Sequence, residues 1–199
     1  MKNCLILTII AIFFTKIGLE AQTIKVGNQI WMSENLNLDK FKNGDQIPEV
    51  KTAEEWQLAA RNKQPAWCYY NNDPIIGKKN GIIYNWYAVN DPRGLAPDGW
   101  RLPSSDDFDV LILSYGGKNL AGKKIKQLDE NGFKGFAAGE RNQRGVFHSM
   151  NETSSWWCSD WNTEYFAFYI YLDFKDESLF KYGFLQNKSC GLYVRCLKD

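Results

Sequence analysis

Pro97-Asp98-Gly99-Trp100-Arg101-Leu102-Pro103-Ser104-Ser105-Asp106-Asp107 ends in a helix start. Ser104 is placed to cap, and Asp106 and Asp107 complement the positive end of the helix. Phe108, Leu111 and Tyr115 then fall on one face, and Gly116-Gly117 stops the helix. The same logic applies upstream. Thr52-Ala53-Glu54-Glu55 is a capping box, with the Thr hydroxyl accepting from the third helical N–H and Glu55 reaching back to the cap. Ala53, Trp56 and Ala60 share a face, which predicts a short helix over 53–62. A third helix is expected over 120–128, with Ala121, Ile125 and Leu128 inward and Lys123, Lys124 and Lys126 in water.

The rest of the chain reads as strands and loops. Thr23 to Met32 alternates about Gly27-Asn28 and predicts a hairpin, while 33–50 is irregular with turns at Asn43-Gly44-Asp45 and Pro48. Tyr165 to Phe174 (YFAFYIYLDF) is dense in aromatic and β-branched residues, as strands are. Phe180–Leu185 and Gly191–Leu197 predict two more, with turns at Asp176-Glu177 and Asn187-Lys188. Early helices followed by meandering strands indicate an α+β architecture.

The first residues speak for the compartment. Lys2 is followed by Cys4 to Phe14 (CLILTIIAIFF), an apolar run eleven residues long where a membrane-crossing helix needs about 20. That length suits a signal peptide, expected over residues 1–21 with cleavage after Ala21. Residues 22–199 then form a single domain that is secreted, extracellular or periplasmic, with no membrane span. The leader carries Lys2, Lys16 and Glu20 of the chain's 24 basic and 23 acidic residues, so the remainder balances at 22 of each. A neutral chain lacks the basic footprint of a nucleic-acid binder. Without Cys4, four cysteines remain: Cys68, Cys158, Cys190 and Cys196. In an oxidising compartment an even set predicts disulfides, with three pairings open. Zinc is disfavoured, because there is no CxxC and the single histidine, His148, lies ten residues from the nearest cysteine.

Several ordered motifs carry a resemblance. They are Val26-Gly27-Asn28-Gln29-Ile30-Trp31-Met32-Ser33-Glu34-Asn35-Leu36-Asn37, Pro65-Ala66-Trp67-Cys68-Tyr69-Tyr70, Tyr84-Asn85-Trp86-Tyr87-Ala88-Val89, Pro97 to Ser104, Gly132-Phe133, Ser154-Ser155-Trp156-Trp157 and Tyr193-Val194-Arg195-Cys196. Together they resemble the Fibrobacter succinogenes major paralogous domain family over nearly all of residues 24–199. The Gly-Trp-Arg-Leu-Pro-Ser segment also resembles the wider C-type-lectin-like superfamily, which includes the formylglycine-generating enzymes. The resemblance implies a C-type-lectin-like fold with two main short helices, a small twisted antiparallel sheet and long loops, stabilised by disulfides. Related sequences often place a cysteine where this chain has Ala96. By analogy with the superfamily, Cys158–Cys190 is the first pairing implied, leaving Cys68–Cys196.

Candidate sites are then weighed against plainer roles. His148, in Gly145-Val146-Phe147-His148-Ser149, has Ser149 and Glu152 nearby in sequence, but a surface or packed role is expected. The paired carboxylates Asp106-Asp107 and Glu54-Glu55 are helix-start charges rather than glycosidase acids. Cys190 and Cys196 are spaced to suggest the thiol pair of the formylglycine-generating type, yet no other part of that pattern is present. The expectation is a chain that is not an enzyme and needs no cofactor. Sugars stack on aromatic rings, but Trp31, Trp86, Trp100 and Trp156 are expected in the core. Trp161 is flanked by polar turn residues and is the best surface aromatic. With Asp160 and Asn162 it makes a candidate ligand site, similar to the calcium- and sugar-binding loops of lectins. Calcium needs six to eight oxygens, and these residues supply few of them. A glycan or an extracellular protein is the expected partner, with a structural surface role as the other reading.

Overall fold

The computed structural model describes residues 22–127, 133–176, 179–180 and 185–199. The expected leader over 1–21, Leu128, Gly132 and most of the strand expected over 180–185 lie outside these residues. The described chain begins with the expected hairpin, β1 (Thr23–Val26) and β2 (Gln29–Met32). Helix α1 (Ala53–Arg61) starts at the Thr52–Glu55 capping box, with both reciprocal bonds formed, and buries Trp56, Ala59 and Ala60. Then come β3 (Trp67–Cys68), a 3₁₀ turn, α2 (Pro74–Asn80), β4 (Ile83–Asn85) and α3 (Trp86–Val89). Strand β5 (Trp100–Arg101) leads into α4 (Ser105–Ser114), whose Ser104–Asp107 capping box is also complete. Helix α5 (Lys118–Lys126) buries Ala121 and Ile125. Of its lysines, Lys126 reaches the Asp176 carbonyl and lies over the Phe174 ring rather than standing alone in water.

The second half is sheet. It holds β6 (Ala138–Arg141), β7 (Phe147–Met150), β8 (Thr153–Trp161), β9 (Phe166–Asp173), β10 (Leu179–Phe180), β11 (Gln186–Asn187), β12 (Gly191–Leu192) and β13 (Leu197–Lys198). The fold is therefore α+β. It departs from the expected two helices and one small sheet: the described residues hold five α-helices and two sheets. One sheet runs β1-β2-β13-β5. The other runs β10-β9-β8-β6-β12-β4-β3, with β11 on β9 and β7 on β6. Pairing between the named strands is antiparallel except where β6 meets β8 at Gly139 and Ser154, and isolated parallel bridges join Glu49 to Trp67 and Trp156 to Tyr193. The single strand expected over 191–197 is split because the chain leaves the large sheet after Leu192 and joins Trp31 of the small one at Leu197.

Two packed clusters face the large sheet from opposite sides, as the period of two requires. Trp156, Cys158, Ile170, Leu172 and Tyr193 point into the cluster that contains α1, α4 and α5. Their neighbours Trp157, Ala167, Leu192 and Val194 point into the other, with Phe41, Ile47 and Trp86. Trp31, Trp86 and Trp156 are core as expected, whereas Trp100 is only half-buried.

The expected disulfides are a correction. Cys68, Cys158, Cys190 and Cys196 are all buried thiols. Cys68 and Cys158 pack in the first cluster, and Cys190 and Cys196 in the second. Both pairings implied by the resemblance would have to cross between clusters. These residues act here as small apolar side chains.

A buried cation packs against the first cluster, beside Phe133 and Trp156. Arg195 is completely buried. Its Nε and Nη2 donate to Asn35 Oδ1 at 3.1 and 2.7 Å, and its Nη1 donates to the Phe133 carbonyl. Trp156 Nε1 donates to the same Asn35 oxygen at 2.8 Å, and Asn35 Nδ2 donates to the Asn80 carbonyl at 2.8 Å. The Phe133 ring lies 4.2 Å from the guanidinium. Burial pulls the Arg195 pKa down to about 9, opposed by Glu34 and Tyr115, so the group stays charged at neutral pH. Removing an acceptor from a buried charge costs about 3–5 kcal/mol, whereas replacing the whole polar set by apolar side chains can be nearly neutral. Asn35→Ala is therefore expected to lower unfolding free energy in urea by about 3 kcal/mol, with the Asn35→Leu/Arg195→Met double variant recovering much of it. A loss below about 1 kcal/mol for Asn35→Ala would remove the cation from its central role.

Candidate functional site

The hairpin between β8 and β9 places the aromatic residues that remain outside the core. Trp161 pairs with Ala167 after a register shift along β8. Thr163 Oγ1 accepts from the Tyr165 and Phe166 N–H groups at 3.3 and 3.1 Å, which fixes the turn. Trp161, Tyr165 and Phe166 are left 53 %, 63 % and 38 % exposed at its tip.

The candidate trio is not brought together as one site. Both carboxylate oxygens of Asp160 accept from Ser105, from its N–H at 2.7 Å and its hydroxyl at 2.6 Å. Asp160 thus anchors the N-terminus of α4, and those oxygens are engaged in the scaffold. Asn162 donates its N–H to the Phe166 carbonyl within the turn. Trp161 faces outward, held by Trp86 with ring centroids 5.4 Å apart. Lys188 lies against both indoles, 4.2 Å from the Trp86 ring and 5.4 Å from Trp161, its Nζ donating to the Thr163 carbonyl at 2.9 Å. Burial lowers the Lys188 pKa; Glu164 pulls it up and Lys63 pushes it down. Among the described residues no group of three or more His, Cys, Asp or Glu side chains could hold a metal ion.

Beside Lys188 opens a cleft of about 360 Å³, within the size range of small-ligand sites. One wall is α1 with Gln57, Ala60 and Arg61, followed by Lys63; Tyr87 and Tyr165 supply aromatic side chains; Gln143, Asn187 and Ser189 complete the lining. Lys63 is paired with Glu164 at 2.6 Å on the rim. Amides, hydroxyls and flat rings around one concavity can accept and donate to a polyol while stacking against its apolar face. A second cavity of about 340 Å³ between Met32, Glu34, Leu36 and Pro97 has no aromatic lining. Sequence reading found Trp161 but missed Arg61, Tyr87 and Tyr165. The signal for Tyr165 was present, an aromatic directly after the polar run Asn162-Thr163-Glu164.

His148 and Cys190 were the other chemical candidates. His148 Nδ1 lies 2.9 Å from Ser149 Oγ, and Nε2 lies 3.4 Å from Glu140 Oε1 across the β6–β7 pair. Glu152 instead faces Lys175. Ser149 has φ +61°, opposite Gly139 at φ +70°. A Cβ at Gly139 would meet the Tyr70 ring at 2.5 Å and the His148 carbonyl at 2.7 Å, so this close approach demands glycine there. None of Glu140, His148 and Ser149 lines the cleft. Burial pushes the Cys190 and Cys196 thiols up to about 12, the reverse of activation.

The largely covered Glu140 carboxyl has a consequence for stability. Burial raises its pKa above 4.5, against the lowering pull of the Ser155 hydroxyl and the His148 ring; the Cys190 thiol also lies within its field. The unfolded carboxyl ionises first, so stability present below about pH 4.5 is lost as pH rises through the folded value. Thermal melts from acid to neutral pH are expected to show Glu140→Gln gaining on wild type as pH rises. A constant difference between the two would refute the buried-carboxylate cost.

No curated protein and no solved structure matches the chain. A family model does, that of the Fibrobacter succinogenes major domain, over residues 24–198. The span runs from β1 to β13 and takes in both sheets and every wall of the cleft, so the chain belongs to the Fibrobacter succinogenes major domain family.

Proposed function

We propose that this protein is an exported recognition module that binds saccharide chains in the cleft between α1 and the β8–β9 tip, without performing chemistry on them. The observation that carries the reading is the exposed Tyr165 on a concavity lined also by Tyr87, three side-chain amides, Ser189 and the cations Arg61 and Lys63. Trp161 extends the stacking surface next to it, set in place by Trp86 and Lys188. Aromatic faces supply apolar contact area, and Gln57, Gln143, Asn187 and Ser189 supply hydrogen bonds that can tell one hydroxyl arrangement from another. A C-type-lectin-like reading of the α+β fold draws support from the Gly99-Trp100-Arg101-Leu102-Pro103-Ser104 segment leading into α4, with α1 as the second helix of the pair. Thiol oxidation of the formylglycine-generating type would need an accessible thiolate, and the buried Cys190 and Cys196 argue against one. No described helix is long and apolar enough to cross a membrane. The apolar run Cys4–Phe14 supports export, and intact mass from the native host should place the mature N-terminus at Gln22.

A glycan array probed with the mature chain tests the binding. Tyr165→Ala and Trp161→Ala are expected to cut saccharide affinity by about tenfold each, equivalent to about 1.4 kcal/mol. Leu113→Ser, at a 73 % exposed position on α4, should leave it unchanged. Retention of any bound glycan at full strength by both aromatic variants, or binding of none by wild type, would end the proposal.

A further inference from the structure

The charge around the cleft does not match the balance of the whole chain. Arg61 and Lys63 line it, and no carboxylate does. Lys188 sits directly behind, between the lining residues Asn187 and Ser189. Arg144 follows the lining residue Gln143, and its carbonyl accepts from Gln57 Nε2 at 3.1 Å. The single nearby anion identified at the rim, Glu164, is paired with Lys63. Arg61, Lys63, Arg144 and Lys188 set against Glu164 leave an excess of cationic side chains at this end of the fold. The chain as a whole carries 24 basic and 23 acidic residues, so the excess is local.

Arg61 is the decisive residue. It ends α1, where a cation commonly complements the helix dipole. The last carbonyls of this helix are already met by backbone donors: Asn62 N–H to Leu58, Gln64 N–H to Ala59 and Lys63 N–H to Ala60. Among the described residues its guanidinium has neither ion pair nor hydrogen bond. An exposed planar fork with five donors fits one chemistry especially well, the bidentate oxygens of a carboxylate or sulfate.

We infer that the saccharide taken by this cleft is acidic, its ring stacked between Tyr165 and Tyr87 and its anionic substituent held by Arg61 and Lys63. This rests on the saccharide reading above. Uronate and sulfate ester rings share the required chemistry, and separate probes distinguish them. Calorimetric titration of the mature chain would use oligogalacturonate, a sulfated galactan oligosaccharide and a neutral xylo-oligosaccharide of equal length. At least one acidic probe is expected to bind about tenfold tighter than the neutral one, as a charge-assisted bond implies. The advantage should shrink as salt rises, because the site is open to solvent. Arg61→Gln should abolish the preference with its thermal melt unchanged, while Tyr165→Ala weakens acidic and neutral probes alike. Equal affinity for neutral and acidic probes, or a preference that survives Arg61→Gln, would overturn the acidic ligand and leave the saccharide reading standing. Binding of no saccharide would overturn both.

Discussion

A guanidinium with no access to water sets the terms for this fold. Arg195 must find acceptors inside the protein, and it finds them on Asn35 and Phe133, residues 160 and 62 positions away in the chain. Asn35 can serve only if the irregular segment after β2 passes beside the sheet, where Leu36 N–H donates to the Val194 carbonyl. Trp156 can share the Asn35 oxygen only if β8 lies next to the C-terminal segment, and the Trp156–Tyr193 bridge holds it there. One buried charge thereby ties the first loop, the central strand and the C-terminus to each other. Apolar packing around it is dense but without direction; the cation supplies a registry that Leu or Val at the same place would not.

Much of the local structure was legible because its causes are local. The Thr52–Glu55 and Ser104–Asp107 boxes each need four residues in a row, and both helices begin where those residues say. The Gly27-Asn28 turn likewise needs no distant partner. Strand β8 was not legible. Thr153, Ser154 and Ser155 are polar, yet all three are buried, because the strand lies between β9 and β6. The cysteines misled for a related reason. An even count after an expected leader suggests bridges, but burial without bonding leaves the same count. The sequence motifs behind the family resemblance located the right residues and hid their purpose. Asn35, Trp156 and Arg195 come from three of them and meet at a single oxygen.

The candidate site shows where local reading stops. Trp161 stood out because its neighbours in sequence are polar, a local property, and it is exposed. The role of Asp160 depends on Ser105, 55 residues earlier, which engages both carboxylate oxygens. The cleft draws its walls from α1, α3, the β6–β7 turn, the β8–β9 tip and the segment around β11. No window of sequence contains more than a fraction of that set.

The width of the cleft follows from the same core. Arg141 is buried between Trp56 and Phe147, with the ring centres 4.5 and 4.7 Å away. Its guanidinium donates to the carbonyls of Val50, Lys51 and Thr52, which fixes the entry of α1. Trp56, one turn into that helix, donates its indole N–H to the Ser189 carbonyl at 2.8 Å. The wall that carries Gln57 and Arg61 is therefore bonded through one indole to the wall that carries Asn187 and Ser189. On the other side Lys188 spans Trp86 and Trp161, while its N–H donates to the Tyr165 carbonyl at 2.9 Å. Opposite walls joined through buried side chains cannot open or close independently of the core. The saccharide proposed for this cleft would meet a shape and charge already fixed by the fold, so little ordering would have to be added on binding.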